Sequence, residues 1–273
     1  SDVQFVSCSS GADSPKVVPY NLTSFDWWYF DAVSEDGTEE VVVVFYSASE
    51  ASFPFDLDIK SDLSVMVQGT WEGGTSSLLY SSFADEATVT TVGDGSNGNW
   101  TNAGGYWTST SDLSQYSISI ETDNVFGTFV LESVAPGHYP CGPLEVGQNE
   151  EILPGIGWVN VVPDAQGTVN MTIDGKLLSF TGYGYHDKNW SNQPFADAVK
   201  SWYWGHGRLG PYSVVWYDAI AADGTEYVSG YAVQNGQVVS STCSGVKVRP
   251  IGVNSEYPPQ PSIGSPGGFN IEL

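Results

Sequence analysis

Residues Gly182–Asp218 read GYGYHDKNWSNQPFADAVKSWYWGHGRLGPYSVVWYD, a stretch dense in aromatic and β-forming residues. It holds three of the eight basic residues, two of the three histidines and four of the ten tryptophans. Aromatic residues beside a few polar groups are typical of a small-molecule pocket. A β-rich core with inward-facing tryptophans and polar strand ends would give the same pattern. For the stretch as a whole we favour a pocket.

The chain is strongly acidic, with 32 acidic against 8 basic residues among 273 and a net charge of −24. Such a charge repels nucleic acids and anionic membranes, so neither is expected as a partner. No apolar run reaches the roughly 18 residues that a transmembrane helix needs, so no membrane insertion is expected. The composition is compatible with a neutral small-molecule substrate and leaves the oligomeric state open.

The three cysteines are Cys8, Cys141 and Cys243. They show no C-x-x-C spacing, which argues against a zinc or redox site. One disulfide and one free thiol are expected, and all three pairings stay open. N-x-[ST] sequons and the scarcity of lysine favour a secreted or secretory-pathway protein whose signal peptide has been removed. The predicted glycosylation sites are Asn21, Asn99, Asn170 and Asn189.

The fold class predicted from the pattern is all-β, because β-branched and aromatic runs alternate with hairpin turn signals. Asp-Gly and Asn-Gly pairs supply the positive φ angles that two-residue hairpins require. The best helix candidate is Pro194–Lys200, with a proline near its start. The clearest strands are Glu40–Ser47, Ser64–Gly69, Tyr116–Glu121 and Phe126–Glu132, and the turn pairs begin at Asp36, Asp94, Asp174, Asp223 and Asn235.

Two β domains are predicted, because the strand pattern lapses over Ala135–Pro154, where proline and glycine cluster. The first covers residues 1–150 with an irregular N-terminal arm, and the second covers residues 151–273 with a coil tail. Phe30–Glu39 matches Tyr217–Glu226 at six of ten positions, which suggests two related halves. Small barrels of about eight strands can hold one ligand.

The segment His186–Trp190 is the first candidate for chemistry. On a strand, alternate residues share a face, so His186, Lys188 and Trp190 point one way and Asp187 and Asn189 the other. A lysine or histidine beside an indole could donate a proton or polarise a carbonyl, and a carboxyl group on the other face could do the same. A structural ion pair of Asp187 with a basic residue is the alternative.

The segment Trp202–Arg208 is the second candidate, because Trp202, Trp204, His206 and Arg208 alternate and would share one face. Arg208 could hold a pair of substrate oxygens in a forked contact. Arg208 stacked on an indole is at least as good an interpretation, and His206 fits a structural role.

Two further motifs complete the candidate set. Asp218, next to Trp216, could act as an acid if burial raises its pKa. The matching Asp31 in the repeated segment argues instead that both aspartates fix hairpins. Trp27 and Trp28 face opposite ways, so one of them, with Tyr29, is expected to line a pocket. No nucleotide or metal motif occurs, so no cofactor and no metal are expected.

The blocks Asp26–Tyr29, Gly182–Trp190 and Trp216–Asp218 resemble those of the carotenoid 1,2-hydratase/AttH-like family. The resemblance implies two tandem lipocalin-like β-barrel or sandwich domains. Family hydratases read D-H-x-W at the second block, where this chain has Lys188, while Trp190, Trp216 and Asp218 match the rest of the acid site. The chain is more similar to the fungal branch of lipocalin-like Diels–Alderases.

That branch implies a cofactor-free pericyclase of fungal natural-product biosynthesis that acts on small apolar molecules. The expected reaction is a [4+2] hetero-Diels–Alder addition, between a tropolone or polyketide-derived quinone methide and a humulene-type sesquiterpene, with or without prior dehydration. Lys188 is expected to reach the pocket and donate a hydrogen bond to a substrate oxygen. The alternatives are a terpenoid hydratase or dehydratase with Asp218 as acid, and a non-catalytic carrier of an apolar ligand.

Overall fold

The computed structural model describes residues 1–53, 61–260 and 263–273, and almost all of the regular structure is antiparallel β-sheet. This confirms the all-β class. The strands are β1 (Asp2–Val3), β2 (Val17–Val18), β3 (Phe25–Ser34), β4 (Glu40–Ala48), β5 (Leu63–Trp71), β6 (Ser76–Phe83), β7 (Glu86–Val92), β8 (Gly95–Thr101), β9 (Gly105–Ser109), β10 (Gln115–Glu121), β11 (Val125–Ser133), β12 (His138–Tyr139), β13 (Gly142–Pro143), β14 (Glu151–Leu153), β15 (Ile156–Ile173), β16 (Lys176–Ser191), β17 (Val199–Leu209), β18 (Tyr212–Ala221), β19 (Glu226–Gln234), β20 (Gln237–Thr242), β21 (Lys247–Ile251) and β22 (Gly268–Glu272), with one helix, α1 (Phe195–Ala198).

The first sheet has 14 strands and runs in the order β6-β5-β4-β3-β16-β15-β11-β10-β9-β8-β7. Off this path, β12 and β14 pair with β15, and β13 pairs with β12. It encloses the first hydrophobic core, which includes Trp28, Trp100, Trp107 and Trp190. The second sheet has the order β17-β18-β19-β20. A second core, with Trp27, Trp158 and Tyr217 among its members, lies between the two sheets.

Turn chemistry fixes the hairpins as predicted. Asp174 and Gly175 have φ of 48° and 79°, and Asn235 and Gly236 have φ of 51° and 76°. Each pair closes a two-residue hairpin, between β15 and β16 and between β19 and β20. The four clearest predicted strands are present with slightly wider bounds, and the predicted helix is shortened to α1.

The first sheet continues past the predicted domain boundary at residue 150. Strands β15 and β16 follow that boundary in sequence, yet β15 pairs with β11 and β16 pairs with β3. The second sheet begins only at Val199. The echoed segments both lead from a strand into a hairpin, β3 into β4 and β18 into β19. The division into residues 1–150 and 151–273 stays a prediction about folding units.

The N-terminal arm packs into the first core and brings charged groups with it. The carboxyl group of Asp13 is fully buried and accepts hydrogen bonds from Ser96 Oγ at 2.6 Å and Tyr116 Oη at 2.9 Å. His186 Nε2 lies 3.2 Å from its other oxygen. Lys16 Nζ pairs with Glu150 at 3.2 Å, and neither side chain is exposed. The arm therefore exchanges partners with polar and charged groups that are buried beside the first core.

The disulfide joins Cys141 to Cys243, with the two Cα atoms 5.0 Å apart, and Cys8 is a free, exposed thiol. The bond links the segment after β12 to the end of the second sheet. It settles which of the three open pairings this fold uses. No helix in residues 1–53, 61–260 and 263–273 is long and apolar enough to cross a membrane.

Replacing Asp13 by alanine should lower the free energy of unfolding by about 3–5 kcal/mol, because a buried histidine and two hydroxyl donors then lose their hydrogen-bond acceptor. Urea unfolding followed by tryptophan fluorescence measures the change. The matched control is Asp123→Ala at an exposed position, which should change stability by less than about 0.5 kcal/mol. Equal stability of the two variants would contradict the structural role given to the arm.

Candidate active site

A cleft of about 150 Å³ lies between the two sheets and is walled largely by aromatic rings. Strands β3 and β4 form one side, β16 the floor, and β17 and β18 the other side. Because the strands alternate, each contributes every second residue to the cleft. The lining residues are Trp27, Tyr29, Val44, Tyr46, Phe53, Asp187, Asn189, Trp202, Trp204 and Tyr217.

Asp187 is the titratable carboxyl group of this wall and is 4% exposed. Its Oδ2 accepts hydrogen bonds from Trp158 Nε1 at 2.8 Å and from Tyr185 Oη at 2.7 Å. No donor in the described part of the chain reaches Oδ1, which leaves this oxygen for a ligand. Burial raises the pKa of Asp187 to about 6, against the opposing effect of its two donors. The group can therefore be protonated, and act as an acid, near neutral pH.

A second carboxyl group lies beside the first on the neighbouring strand. Asp31 Oδ2 accepts from Tyr29 Oη at 3.0 Å and pairs with His206 Nε2 at 2.8 Å. The His206 ring stacks on Tyr185, with centroids 4.2 Å apart. Burial alone would lower the pKa of His206, but the charge and hydrogen bond of Asp31 outweigh it and raise the pKa. His206 and Asp31 thus form an ion pair at the edge of the cleft.

The expectation that Lys188 reaches the pocket is wrong. The alternation along β16 holds, but His186, Lys188 and Trp190 face the filled first core. Lys188 Nζ lies 2.8 Å from Asp26 Oδ1 and donates to Ser14 O at 2.7 Å. Its ammonium also lies 4.1 Å from the centroid of Trp28. Lys188 is fully enclosed, so its charge serves the fold and not a substrate in the cleft.

His186, like Trp28 and Trp190, lies on the side of the first sheet that faces the first core. His186 Nδ1 is hydrogen-bonded to Tyr29 O at 2.9 Å, and its ring stacks on Phe30 at 4.0 Å. Trp28 and Trp190 belong to the first core, whereas Trp27 lines the cleft. The face of β16 that lines the cleft is therefore the one with Asp187 and Asn189.

The expected role of Arg208 in substrate binding is also corrected. Arg208 Nε and Nη2 donate to the two oxygens of Asp164 at 2.8 and 2.7 Å. Its guanidinium stacks over the ring of Tyr183 at 4.7 Å. The fork formed by Nε and Nη2 is thus occupied by a structural pair, and Arg208 is not among the residues that line the cleft. Trp202 and Trp204, from the same face of β17, do line the cleft.

Asp218 and Trp216 face away from the cleft, on the outer side of the second sheet. Asp218 accepts from Arg249 Nη1 at 2.8 Å, Tyr257 Oη at 2.7 Å and the Val248 amide at 3.2 Å. These bonds fasten the β21–β22 hairpin to the sheet. Burial raises the pKa of Asp218, but its carboxyl group is not in the cleft. This corrects the interpretation of Asp218 as the acid.

The predicted glycosylation sites fall into two groups. Asn189 is 4% exposed and its Nδ2 donates to Gly157 O at 3.0 Å, so a glycan cannot be attached in this fold. The side chain instead lines the cleft. The other three, Asn21, Asn99 and Asn170, are exposed.

The sequence pattern predicted which strand face carries Asp187, but it did not single out Asp187 as the acid. The alternation along His186–Trp190 did predict that Asp187 faces away from Lys188. The indole that donates to Asp187, from Trp158, lies on another strand, so the pattern could not reveal it. Within the described residues, no cluster of three or more histidine, cysteine, aspartate or glutamate side chains could hold a metal ion. Among the residues that line the cleft, Asp187 stands beside aromatic rings.

Asp187→Asn should change how stability depends on pH. The folded-state pKa of about 6 lies above the ordinary aspartate value of 3.8. The stabilisation from the neutral acid is fully present below pH 3.8 and is lost as pH rises through about 6. The free energy of unfolding of the asparagine variant, relative to that of the wild type, should therefore rise by about 3 kcal/mol between pH 4 and 7.

The control for this experiment is Asp36→Asn, where Thr38 and Ser34 hold the carboxyl pKa below its usual range. The wild type should gain stability over that variant as the pH rises to about 3.8, which is the opposite sign, and should keep a constant advantage above that pH. Denaturant midpoints measured below pH 4 as well as between pH 4 and 7 give both trends. A constant difference between the wild type and Asp187→Asn would show that Asp187 is not a buried acid.

A family model described as Diels-Alderase-like matches residues 3–249 of the chain. The quinolone epoxide rearrangement protein penF of Penicillium thymicola is 39% identical over 279 residues, covering 98% of this chain and 76% of that protein. The corresponding protein asqO of Emericella nidulans is 37% identical and covers 99% and 75%. The Diels-Alderase ucsH of an Acremonium species is 28% identical and covers 78% and 54%.

Two solved structures share the fold. CghA superposes with a TM-score of 0.73 at 18% identity, covering 93% of this chain and 69% of that one. An AttH protein of Nitrosomonas europaea superposes with a TM-score of 0.58 at 15% identity and covers 88% and 78%. At these identities the likeness establishes the lipocalin-type fold alone. Because the family model spans nearly the whole chain, the protein belongs to the Diels-Alderase-like family.

Proposed function

We propose that the protein is an enzyme that isomerises one small oxygenated natural product by acid-assisted opening of an epoxide. The observation that carries this proposal is Asp187, which lines an aromatic cleft, accepts its hydrogen bonds at Oδ2 and has a pKa raised to about 6. The similarity to two quinolone epoxide rearrangement proteins supports an epoxide of a planar heterocycle as the substrate class.

The proposed reaction needs one proton transfer in each direction. Asp187 Oδ1–H donates its proton to the epoxide oxygen as a C–O bond breaks, and that bond's electron pair stays on the oxygen. Trp158 and Tyr185 hold the resulting carboxylate through Oδ2. A neighbouring substituent of the substrate then moves, with its bonding electrons, to the cationic carbon. The hydroxyl group made in the first step loses its proton to the Asp187 carboxylate as its oxygen forms a carbonyl, which returns the acid to its starting form. Product and substrate have the same composition, so the step requires no oxidant, reductant or cofactor.

The aromatic wall has a defined part in this step. Opening an epoxide leaves positive charge on carbon, and the faces of Trp27, Trp202 and Trp204 are negative regions of aromatic quadrupoles. The same faces pack against a planar ring and exclude water that would otherwise trap the cation. Tyr46 and Tyr217 stay protonated, because burial raises the pKa of both phenols.

A [4+2] cycloaddition is the second candidate, and the similarity to Diels-Alderases such as ucsH favours it. A hetero-Diels–Alder addition of a tropolone quinone methide to a humulene-type sesquiterpene needs room for two partners. A cleft of about 150 Å³ offers less room than two such partners need. Size therefore favours a single compact substrate. A terpenoid hydratase that uses Asp218 is not supported, because that residue faces away from the cleft.

We also propose that the protein is made in the secretory pathway, since its disulfide suits an oxidising compartment. Expression in a eukaryotic secretory host should give N-glycans on at least one of Asn21, Asn99 and Asn170, and none on the buried Asn189. Peptide mass mapping before and after glycosidase treatment measures this. Complete absence of glycans, or a glycan on Asn189, would contradict the expectation.

The enzymatic proposal predicts that the purified protein converts a quinolone epoxide into an isomer of identical mass. Asp187→Asn should lower kcat/KM by about a hundredfold or more, as expected for loss of a general acid. The wild-type rate should fall as pH rises above about 6, because the acid then loses its proton. Chromatography with mass detection gives both results.

The matched control is Asp218→Asn, a buried carboxyl group outside the cleft, and its activity per folded molecule should be unchanged. Full activity of Asp187→Asn would overturn the proposed acid. If no epoxide reacts and a linear diene substrate cyclises, the second candidate replaces the first. If a ligand binds and is released unchanged under all conditions, the protein is a carrier.

A further inference from the structure

A chain of hydrogen bonds connects the second sheet to Asp187 through the hydroxyl group of Tyr185. Trp204 Nε1, on β17, donates to Tyr185 Oη at 3.1 Å, and Tyr185 Oη donates to Asp187 Oδ2 at 2.7 Å. Trp158 Nε1, on β15 of the first sheet, donates to the same Oδ2 at 2.8 Å. Side chains from both sheets therefore act on one carboxyl oxygen.

The chemistry of the groups fixes the direction of each hydrogen bond in this chain. An indole N–H can only donate, so Trp204 must donate to the phenol oxygen and Trp158 to Oδ2. Tyr185 is fully buried, and within the described residues Asp187 Oδ2 is the acceptor that its hydroxyl hydrogen reaches. A buried hydroxyl hydrogen without an acceptor is costly. The Tyr185 hydrogen is therefore directed at Asp187.

The two donors at Oδ2 decide which oxygen of Asp187 carries the acid proton. A carboxyl oxygen has two lone pairs, and Trp158 and Tyr185 occupy both of them at Oδ2. A proton on Oδ2 would displace one of these donors. Oδ1 accepts no hydrogen bond from the described residues and is not among their buried atoms without a partner, so solvent reaches it. The protonated group therefore has its carbonyl at Oδ2 and its hydroxyl at Oδ1.

The neighbouring pair of Tyr29 and Asp31 shows a different arrangement. Asp31 Oδ2 accepts from Tyr29 Oη at 3.0 Å and pairs with His206 Nε2 at 2.8 Å. Asp31 Oδ1 is buried and has no hydrogen-bond partner, so solvent does not reach it. The free oxygen is thus sealed in Asp31 and accessible in Asp187. The Tyr29 pair can serve as an internal control for the Tyr185 pair.

We propose that Tyr185 and Trp204 are positioning residues that hold the proton of Asp187 on Oδ1, the oxygen that solvent reaches. Trp204 acts through Tyr185, because its N–H directs the phenol hydrogen toward Oδ2. Since Trp204 lies on β17, the acid is set for proton donation when the second sheet packs against the first. The inference deepens the proposed function and rests on it for the transfer of this proton to a substrate.

The charges around Asp187 leave it protonated at about pH 5. Burial has the largest effect and raises the pKa of Asp187 to about 6, while the donors at Oδ2 lower it. Smaller effects come from His186, which lowers this pKa, and from Asp31, which raises it. The other titratable groups that interact with the charge of Asp187 are Tyr29, Tyr185, His206 and Tyr217.

The carbonyl stretching band of protonated Asp187 tests the position of the proton, because hydrogen bonds to a carbonyl oxygen lower its stretching frequency. Infrared difference spectra of the whole chain between about pH 5 and pH 8, corrected with those of Asp187→Asn, isolate this band. The wild type should show one band at the low wavenumber of a doubly hydrogen-bonded carbonyl. Tyr185→Phe should move the band to higher wavenumber. The pH at which the band disappears should also rise by about one pH unit, because the carboxylate loses a donor.

Trp204→Phe tests the connection between the sheets, since it removes the N–H and keeps an aromatic ring in the cleft. The Tyr185 hydrogen can then turn away from Asp187, and Oδ2 can carry the proton in part of the molecules. A second band at higher wavenumber should appear, from a carbonyl at Oδ1 that has no donor. The matched control is Trp202→Phe, which also changes a cleft indole but one without a hydrogen bond to Tyr185 in the described structure. Trp202→Phe and Tyr29→Phe should leave the single band in place.

Thermal melting of each variant shows whether the fold is kept. A merely structural role for Tyr185 and Trp204 would lower the melting temperature without moving the band. Three results would overturn the inference: a single wild-type band at high wavenumber, an unmoved band in Tyr185→Phe, or the same spectrum for Trp204→Phe and Trp202→Phe. If Tyr185→Phe does not fold, the comparison of Trp204→Phe with Trp202→Phe decides.

These readouts need no turnover, so the inference and the proposed function can fail separately. If quinolone epoxides are not isomerised but the bands behave as described, the proposed reaction fails and the position of the proton stands. If isomerisation depends on Asp187 but the band does not respond to Tyr185→Phe, the proposed acid stands and the positioning role fails.

Discussion

The pairing of β16 with β3 is the constraint on which the rest of the structure depends. The two strands are in register over ten residues, from Gly182 opposite Ser34 to Ser191 opposite Phe25. Because side chains alternate along both strands, this ladder divides the chain's functional groups between two compartments. One face supplies Lys188 and its neighbours to a filled core. The other supplies Asp187 to a cleft.

The N-terminal arm helps to pair the charges that are buried beside the first core. Burying an ion is costly unless it is paired. The arm supplies Asp13 to His186 and the Ser14 carbonyl to Lys188, and its own Lys16 pairs with Glu150. Asp26, on β3, completes the pairing of Lys188. The cleft between the sheets differs, because Asp187 has only neutral donors there, from Trp158 and Tyr185.

The sequence predicted the strands, the hairpins and the alternation of His186–Trp190, because these follow from local rules of turn chemistry and strand periodicity. It could not predict which face of β16 meets the ligand. That choice depends on the arm, whose residues Asp13 and Lys16 lie far away in sequence and carry no strand or motif signal. The resemblance to hydratases drew attention to Lys188 and Asp218, whereas the partners that fix both residues, Ser14 and Arg249, come from the chain's two ends.

The pairs Tyr29–Asp31 and Tyr185–Asp187 show how one local motif can stand in two different settings. In each pair the tyrosine donates to the aspartate two residues later on the same strand face. The third partner differs, because it is the imidazole of His206 for Asp31 and the indole of Trp158 for Asp187. A neutral indole leaves the cost of burying a charge unbalanced, and burial raises the pKa of Asp187 to about 6. Trp158 comes from the first sheet and His206 from the second, so both sheets are needed to give the two carboxyl groups different surroundings.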